Sequence, residues 1–357
     1  MPEHERRRYV ILAEGQFGEP GSKTAIGVIR YGRDAVVAIL DSTRAGRNAS
    51  EWLGPLFDIP VLATLDEALP HRPTALLIGI APAGGKIPAP WRGTILAAIE
   101  HGLDVVSGLH EFVSDDPDFT AAAATHGVTL TDHRRPPDRY EVAVGRAHRP
   151  GSRVVLTVGT DCAIGKMTVS LELRKAALEA GLQPVFVATG QTGIMIEGWG
   201  VAVDRVISDF VAGTTEWLVE QAEGMGDWIF VEGQGSLDHP AYSPVTLGLV
   251  HGATPHALVL VHEPGRRVHH GWEDRSGHAA DIKPLRQTIE AYELVAGLVA
   301  PSRVLGIALN TSRLAESAAR AEIARVESES GLVADDPVRF GAQRLLDALR
   351  SGLADLS

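Results

Sequence analysis

The run Gly159-Thr160-Asp161-Cys162-Ala163-Ile164-Gly165-Lys166-Met167-Thr168 holds the densest chemistry in this chain. A glycine-bearing turn ahead of a helix lets successive backbone N–H groups face one anion. The helix end adds partial positive charge, and a lysine reaches the outer phosphate oxygens. The apolar run Val154 to Val158 before it and the helical pattern from Lys166 to Gly181 after it supply the strand, loop and helix that such a loop needs. Two departures alter the chemistry. The first glycine stands one place earlier than in Gly-x-x-x-x-Gly-Lys-[Ser/Thr]. Met167 stands where a hydroxyl ordinarily meets magnesium, with Thr168 one residue on. A thioether does not replace that hard oxygen ligand. Every residue from Gly159 to Thr168 is a candidate cofactor contact, against the plain alternative of a glycine turn with a surface lysine.

Other strand ends carry further candidates. Trp228 to Val231 runs into Glu232-Gly233-Gln234-Gly235-Ser236-Leu237-Asp238-His239-Pro240, which places an acid directly after a buried strand, where phosphate-loop proteins hold a metal or substrate group. Glu232, His239 and His262 are the candidate bases. Asn310, after the run Val304 to Leu309, is a candidate for a purine edge or an ordinary turn residue. Thr189 to Gly193 reads as a glycine loop that wraps a substrate through Gln191 and Thr192, or as a tight turn. Arg266 and Arg267 can clamp a carboxylate or phosphate bidentately, or remain solvated surface charge. The histidines at 262, 269, 270 and 278 match no zincin spacing, so no metal is assigned. Cys162 is read as loop packing, because no base partner for a thiolate is evident.

The elements that position these residues follow from patterning. At 357 residues the chain is long enough for two domains. Short β-rich runs at Tyr9 to Ala13, Thr24 to Ile29, Ala35 to Leu40, Val61 to Thr64 and Ala75 to Ile80, with a helical pattern at Thr94 to His101, predict a mostly parallel sheet. No Gly-x-Gly-x-x-Gly follows the first run. Glu14-Gly15-Gln16-Phe17-Gly18 has the wrong spacing for dinucleotide binding, so a structural α/β sheet is expected there. Proline-bearing connectors follow at His133 to Asp138 and His148 to Ser152, and the boundary is set between domains 1–148 and 149–357. Further runs at Pro184 to Ala188, Trp228 to Val231, Ala257 to Val261 and Val304 to Leu309 predict a second open parallel sheet.

Composition narrows the partners. A formal charge of -12 argues against nonspecific nucleic-acid binding. The single cysteine excludes an intrachain disulfide framework, and the charged start holds no signal or membrane-span pattern. A cytoplasmic protein is expected, with a homo-oligomer compatible with two such domains.

The runs GTDCAIGKMT, TGQTGIMIEGWG and VEGQGSLDHPAYSPVTLGL together resemble the domain-of-unknown-function 1611 family. That resemblance covers essentially the whole chain and implies an α/β fold with a Rossmann-like N-terminal domain and a P-loop NTPase-like C-terminal domain. GTDCAIGK and VEGQG are also similar, more distantly, to dethiobiotin synthetase, where threonine directly follows the lysine. Some members of the family are described as D-glutamate N-acetyltransferases. The resemblance therefore implies acetyl transfer from acetyl-CoA to the amine of a small acidic amino acid as the candidate activity, and on that reading Arg266 or Arg267 would hold the carboxylates. The alternatives are an ATP-dependent kinase or ligase using magnesium at Thr168, Asp161 or Glu232, and a non-catalytic nucleotide sensor.

Overall fold

The computed structural model of the protein describes residues 6–137, 141–273 and 281–354. The chain forms two compact units. The first takes the chain up to Arg135 together with Gln191–Ala202; the second takes Pro136–Gly190 and the chain from Val203 onward.

The first unit strings β1 (Arg8–Leu12), α1 (Lys23–Tyr31), β2 (Ala35–Leu40), α2 (Ser50–Leu53), β3 (Val61–Leu62) and α3 (Leu65–Ala68). It continues with β4 (Ala75–Ile78), α4 (Trp91–Glu100), β5 (Asp104–Ser107), α5 (Pro117–His126) and β6 (Leu130–Asp132). Its strands pair in parallel in the order β3-β2-β1-β4-β5-β6, the Rossmann arrangement. The second unit holds β7 (Arg153–Gly159), α6 (Lys166–Glu179) and β8 (Pro184–Val187). After it comes α7 (Gln191–Glu197), which belongs to the first unit. The second unit resumes with α8 (Val211–Glu223), β9 (Trp228–Val231), α9 (Ser243–Ala253), β10 (Ala257–His262) and α10 (Leu285–Gly297), then β11 (Arg303–Leu309), α11 (Glu316–Ser330), β12 (Val333–Asp335) and α12 (Gln343–Gly352). This sheet is also parallel, ordered β12-β11-β10-β7-β9-β8. Helices covering both faces of a parallel sheet make its central strands continuously apolar, as the buried runs of β7, β9 and β10 are.

Two expectations from sequence change here. Thr24 to Ile29 is not a strand but the body of α1, whose buried Thr24, Ala25, Gly27 and Val28 recur at helical spacing. Parallel neighbours β1 and β2 require a crossover between them, and this helix provides it. The segment after β8 is not an open loop: Gln191–Glu197 is a fully buried helix packed within the first unit, where Thr24 Oγ1 and Thr192 Oγ1 lie 2.8 Å apart. The division between units falls at Arg135, inside the first proline-bearing connector. The chain up to the second connector is held by the second unit, since the Val144 and Arg146 N–H groups donate to Glu216 at 3.0 and 2.7 Å. Among the described residues no helix is long and apolar enough to cross a membrane.

The turn after β1 shows why the first sheet lacks the usual glycine fingerprint. Phe17 is fully buried and meets Trp52 edge to face at 5.3 Å, so side chains fill the space beside this turn. Asp41, at the end of β2 where a ribose-binding acid stands in nucleotide sheets, accepts from the Phe17 N–H at 3.0 Å and the Thr43 N–H at 3.0 Å. Burial alone would raise its pKa. Hydrogen bonds from Thr43, Phe17 and Gly15, with the Arg44 charge, outweigh burial and hold the carboxyl below its ordinary range. The folded value lies below the unfolded one, so this stabilisation is complete above the unfolded value of about 3.9 and is lost as pH falls through the folded value. Asp41→Ala is expected to cost about 2–4 kcal/mol of unfolding free energy in urea at neutral pH, because buried N–H groups lose their acceptor. A loss below about 0.5 kcal/mol would show that the acid does not fasten this turn.

Candidate functional site

β7 lies between β9 and β10, at the point where the order of the second sheet reverses. Ligands of open α/β sheets bind beyond the carboxyl ends of strands at such a point. Gly159 ends β7, and the loop that follows turns through two left-handed positions, Ala163 at φ 53° and Gly165 at φ 107°, before Lys166 opens α6. The N-terminus of α6 has no side-chain cap. Among the described residues no group accepts from the amides of Ala163, Ile164 or Gly165. Donors and a helix end of this kind are what an anion cradle requires.

The loop is fastened from beneath. Lys166 is buried and its Nζ donates to the Asp161 carbonyl at 2.6 Å. The fully buried Asp161 carboxylate accepts from Arg266 Nη1 at 2.8 Å, from the His270 N–H at 2.9 Å, and faces His269 Nδ1 at 3.1 Å. Burial pushes its pKa up. Hydrogen bonds from Arg266, from the Cys162 and His270 amides and from His269 overcome that and hold it below the usual carboxylate range. Arg266 also donates to the Cys162 carbonyl at 3.0 Å and pairs with Glu263 at 2.5 Å. Asp161 and Arg266 therefore shape the loop instead of reaching outward.

Glu232 Oε2 accepts from the Thr189 and Gly190 N–H groups at 2.9 and 3.0 Å, joining the ends of β9 and β8. The next residue, Gly233, must be glycine, because a Cβ there would stand 1.7 Å from the Thr157 carbonyl oxygen. His239 is buried; its Nδ1 accepts from the Ala241 N–H at 3.1 Å and its Nε2 meets the His270 carbonyl at 3.2 Å. Those partners assign a neutral ring protonated on Nε2. His262 Nδ1 lies 3.0 Å from Thr160 Oγ1, and burial lowers its pKa to about 4, so the ring is neutral near pH 7. Asn310 Nδ2 donates to the Ile164 carbonyl at 3.2 Å, so this amide props the loop.

Beside the loop runs a cleft of about 420 Å³ lined by His262, Arg266, Arg267, Lys283 and Arg325, with Asp281 and Glu329 as its acids. Arg267 is exposed, and among the described residues its guanidinium has no partner. The structure thus gathers Gly159 to Thr168, Glu232, His239, His262, Arg266 and Asn310 around one strand end, with Arg267 in the adjoining cleft. Gln191 and Thr192 instead fold into the first unit, and His278 lies outside the described residues. Donor atoms of Asp161, Cys162 and His239 come within 4.8 Å of one another, yet the Asp161 oxygens and both His239 nitrogens already hold protein partners.

Sequence reasoning passed over Tyr292. Its hydroxyl donates to the Gly159 carbonyl at 2.8 Å and accepts from the Leu237 N–H at 3.2 Å, tying the phosphate loop to the loop after β9. Burial pushes this phenol's pKa well up, keeping the proton it donates. One tyrosine within an amphipathic helix reads as core, and no local pattern marks it otherwise.

Two family descriptions match the chain: a P-loop domain of unknown function (DUF1611_C) over residues 141–346 and a Rossmann-like domain (DUF1611_N) over residues 42–136. A D-glutamate N-acetyltransferase of Tritonibacter scottomollicae is 41% identical over 328 residues, 92% of this chain and 94% of that one. Another protein of that name, from a Pseudoalteromonas species, is 38% identical over 271 residues, 76% of this chain and 79% of that one. The crystal structure of a DUF1611 family protein from Anabaena variabilis superposes with a TM-score of 0.91 at 41% identity, covering 97% of this chain and 100% of that one.

Arg266→Ala removes the guanidinium from a buried carboxylate and is expected to cost about 3–5 kcal/mol in urea unfolding. Since the Asp161 pKa is depressed in the folded state, the wild type should lose more stability than Asp161→Asn as pH falls from about 6 to about 3. Parallel pH–stability curves would contradict the fastening role.

Proposed function

Since the chain belongs to the DUF1611 family, we propose that it is an N-acetyltransferase moving the acetyl group of acetyl-CoA to the amine of D-glutamate. The observation that carries this reading is the 41% identity, across 92% of the chain, to a protein named for that activity. The loop chemistry agrees with it. Coenzyme A offers a pyrophosphate and a 3′-phosphate, which the amides of Ala163 to Gly165, the start of α6 and Lys166 suit without the metal that phosphoryl transfer requires. Met167 in place of a magnesium-binding hydroxyl costs such a reaction nothing.

D-Glutamate brings two carboxylates and one ammonium. The cleft beside the loop supplies Arg267, whose fork geometry suits a carboxylate, with Lys283 as a second cation. Arg266, already committed to Asp161 and Glu263, acts by holding the loop in shape. A cytoplasmic setting, where the single Cys162 stays reduced, suits both acetyl-CoA and a free amino acid.

Calorimetry with acetyl-CoA and with Mg-ATP, followed by free-thiol and phosphate assays with D-glutamate present, tests the reading. Thiol release that depends on D-glutamate is expected; ADP formation, or binding with no turnover, would overturn acetyl transfer. Lys166→Ala is expected to weaken acetyl-CoA binding at least about tenfold, a loss of about 1.4 kcal/mol. Arg267→Ala should raise the KM for D-glutamate about tenfold or more while kcat changes little, as loss of uniform substrate binding does. An unchanged KM would remove Arg267 from the substrate site.

A further inference from the structure

The candidate bases that sequence suggests are poorly placed to accept a proton from an ammonium. Glu232 Oε2 is held by two amides, both His239 nitrogens have partners, and burial leaves His262 a weak base. A different group stands at the junction of the phosphate loop and the basic cleft. Asp238 follows Leu237, whose N–H is tied through the Tyr292 hydroxyl to Gly159. Its Oδ1 accepts from the Ser236 hydroxyl at 3.0 Å, and its Oδ2 lies 3.5 Å from the backbone N–H of Lys283, a residue that lines the cleft. Asp238 is thereby fixed against both parts of the site.

Behind Asp238 sits a fully buried imidazole between two carboxylates. His269 Nδ1 is 3.1 Å from Asp161 Oδ1, and its Nε2 is 3.5 Å from Asp238 Oδ2. The second distance counts as an ion-pair approach but not as a hydrogen bond, and Nε2 is a buried polar atom with no hydrogen-bond partner. A buried ring nitrogen without a partner is costly, and a proton delivered to Asp238 and then shared with Nε2 relieves that cost. The Asp161 side chain is wholly buried, as is that of His269, whereas the Asp238 side chain is 21% exposed. Of the three groups, only Asp238 is open to a ligand.

We infer that Asp238, backed by His269 and Asp161, is the group that takes the proton from the substrate amine. The inference rests on the acetyl-transfer reading of this same site. A lone carboxylate is a weak acceptor. One that passes its proton on to an imidazole, whose ordinary proton affinity exceeds that of a carboxylate, is a stronger unit. The ammonium gives one proton to Asp238, which frees the nitrogen lone pair to attack the thioester carbonyl. The N–C bond forms and the C–S bond breaks. The second proton lost from nitrogen goes to the departing thiolate as coenzyme A thiol, and the proton held by Asp238 and His269 returns to solvent. His269 acts through Asp238 and is a positioning residue.

The test uses the full chain with acetyl-CoA and D-glutamate. Asp238→Asn is expected to lower kcat about 10²–10⁴-fold while acetyl-CoA affinity in calorimetry stays within about twofold. His269→Gln should lower kcat with the KM for D-glutamate little changed. The decisive readout is pH. Without its base the variant depends on amine already deprotonated in solution, so the Asp238→Asn rate should climb about tenfold per pH unit from about pH 7 to about pH 9, closing on the wild type. An Asp238→Asn rate that keeps a constant ratio to wild type across that range marks a structural defect and overturns the inference, as does a variant with more than half of wild-type kcat. Failure of the acetyl-transfer reading is seen separately, as a wild-type enzyme that releases no thiol.

Discussion

The second unit is organised around one buried negative charge. Asp161 sits under the phosphate loop with no exposure, and a carboxylate so placed is tolerated only when its charge is met on every side. Arg266 and the His270 amide come from the segment after β10, and the Cys162 amide comes from the loop itself. Satisfying this one group draws the β10 loop against the phosphate loop. These contacts hold the loop in one shape, and a loop preorganised in that way would bind an anion without the cost of ordering it at the moment of binding.

The two sheets use an acid at a strand end in the same physical way and reach different results. In the first unit Asp41 draws in the turn after β1, and Phe17 against Trp52 fills the adjoining space. In the second, Asp161 also pulls a loop toward the protein, but its charge is met largely by side chains and amides of a neighbouring loop, and among the described residues the amides of Ala163 to Gly165 keep no acceptor. A strand-end acid is therefore no guide to ligand binding until its partners are known. What separates the sheets is which backbone donors remain once the acid has taken its share.

That distinction also marks what was legible in the sequence. Buried parallel strands such as Val154 to Val158 and Ala257 to Val261 stand out because both faces are apolar. The phosphate loop stands out because glycine and lysine spacing is local. Thr24 to Ile29 misleads because its β-branched residues favour a strand while its burial follows a helical face, and the crossover between β1 and β2 decides the matter. Thr189 to Gly200 misleads because its glycines suggest a loop, whereas packing inside the first unit makes Gln191–Glu197 helical. The roles of Asp161, Arg266, Asn310, Asp238 and Tyr292 depend on partners far away in sequence, from 31 residues for Asp238 and His269 to 146 for Asn310 and Ile164. No window along the chain contains such pairs.

The displaced first glycine of the phosphate loop follows from the same fastening. At Gly159 a Cβ would approach Ile164 Cδ1 to 2.9 Å, Lys166 Cδ to 3.2 Å and the Asp161 carbonyl oxygen to 3.3 Å. The loop folds back over the end of β7, with the Lys166 stem crossing Gly159 on its way to the Asp161 carbonyl. The standard glycine position is occupied by Thr160, which is free to bear a side chain because its hydroxyl turns toward His262 and its N–H reaches the Val261 carbonyl. A side chain at 159 would press on the Ile164 side chain and the Lys166 stem, so glycine suits the position one residue earlier, where the loop folds back. The spacing thus follows how the loop is closed over the end of β7.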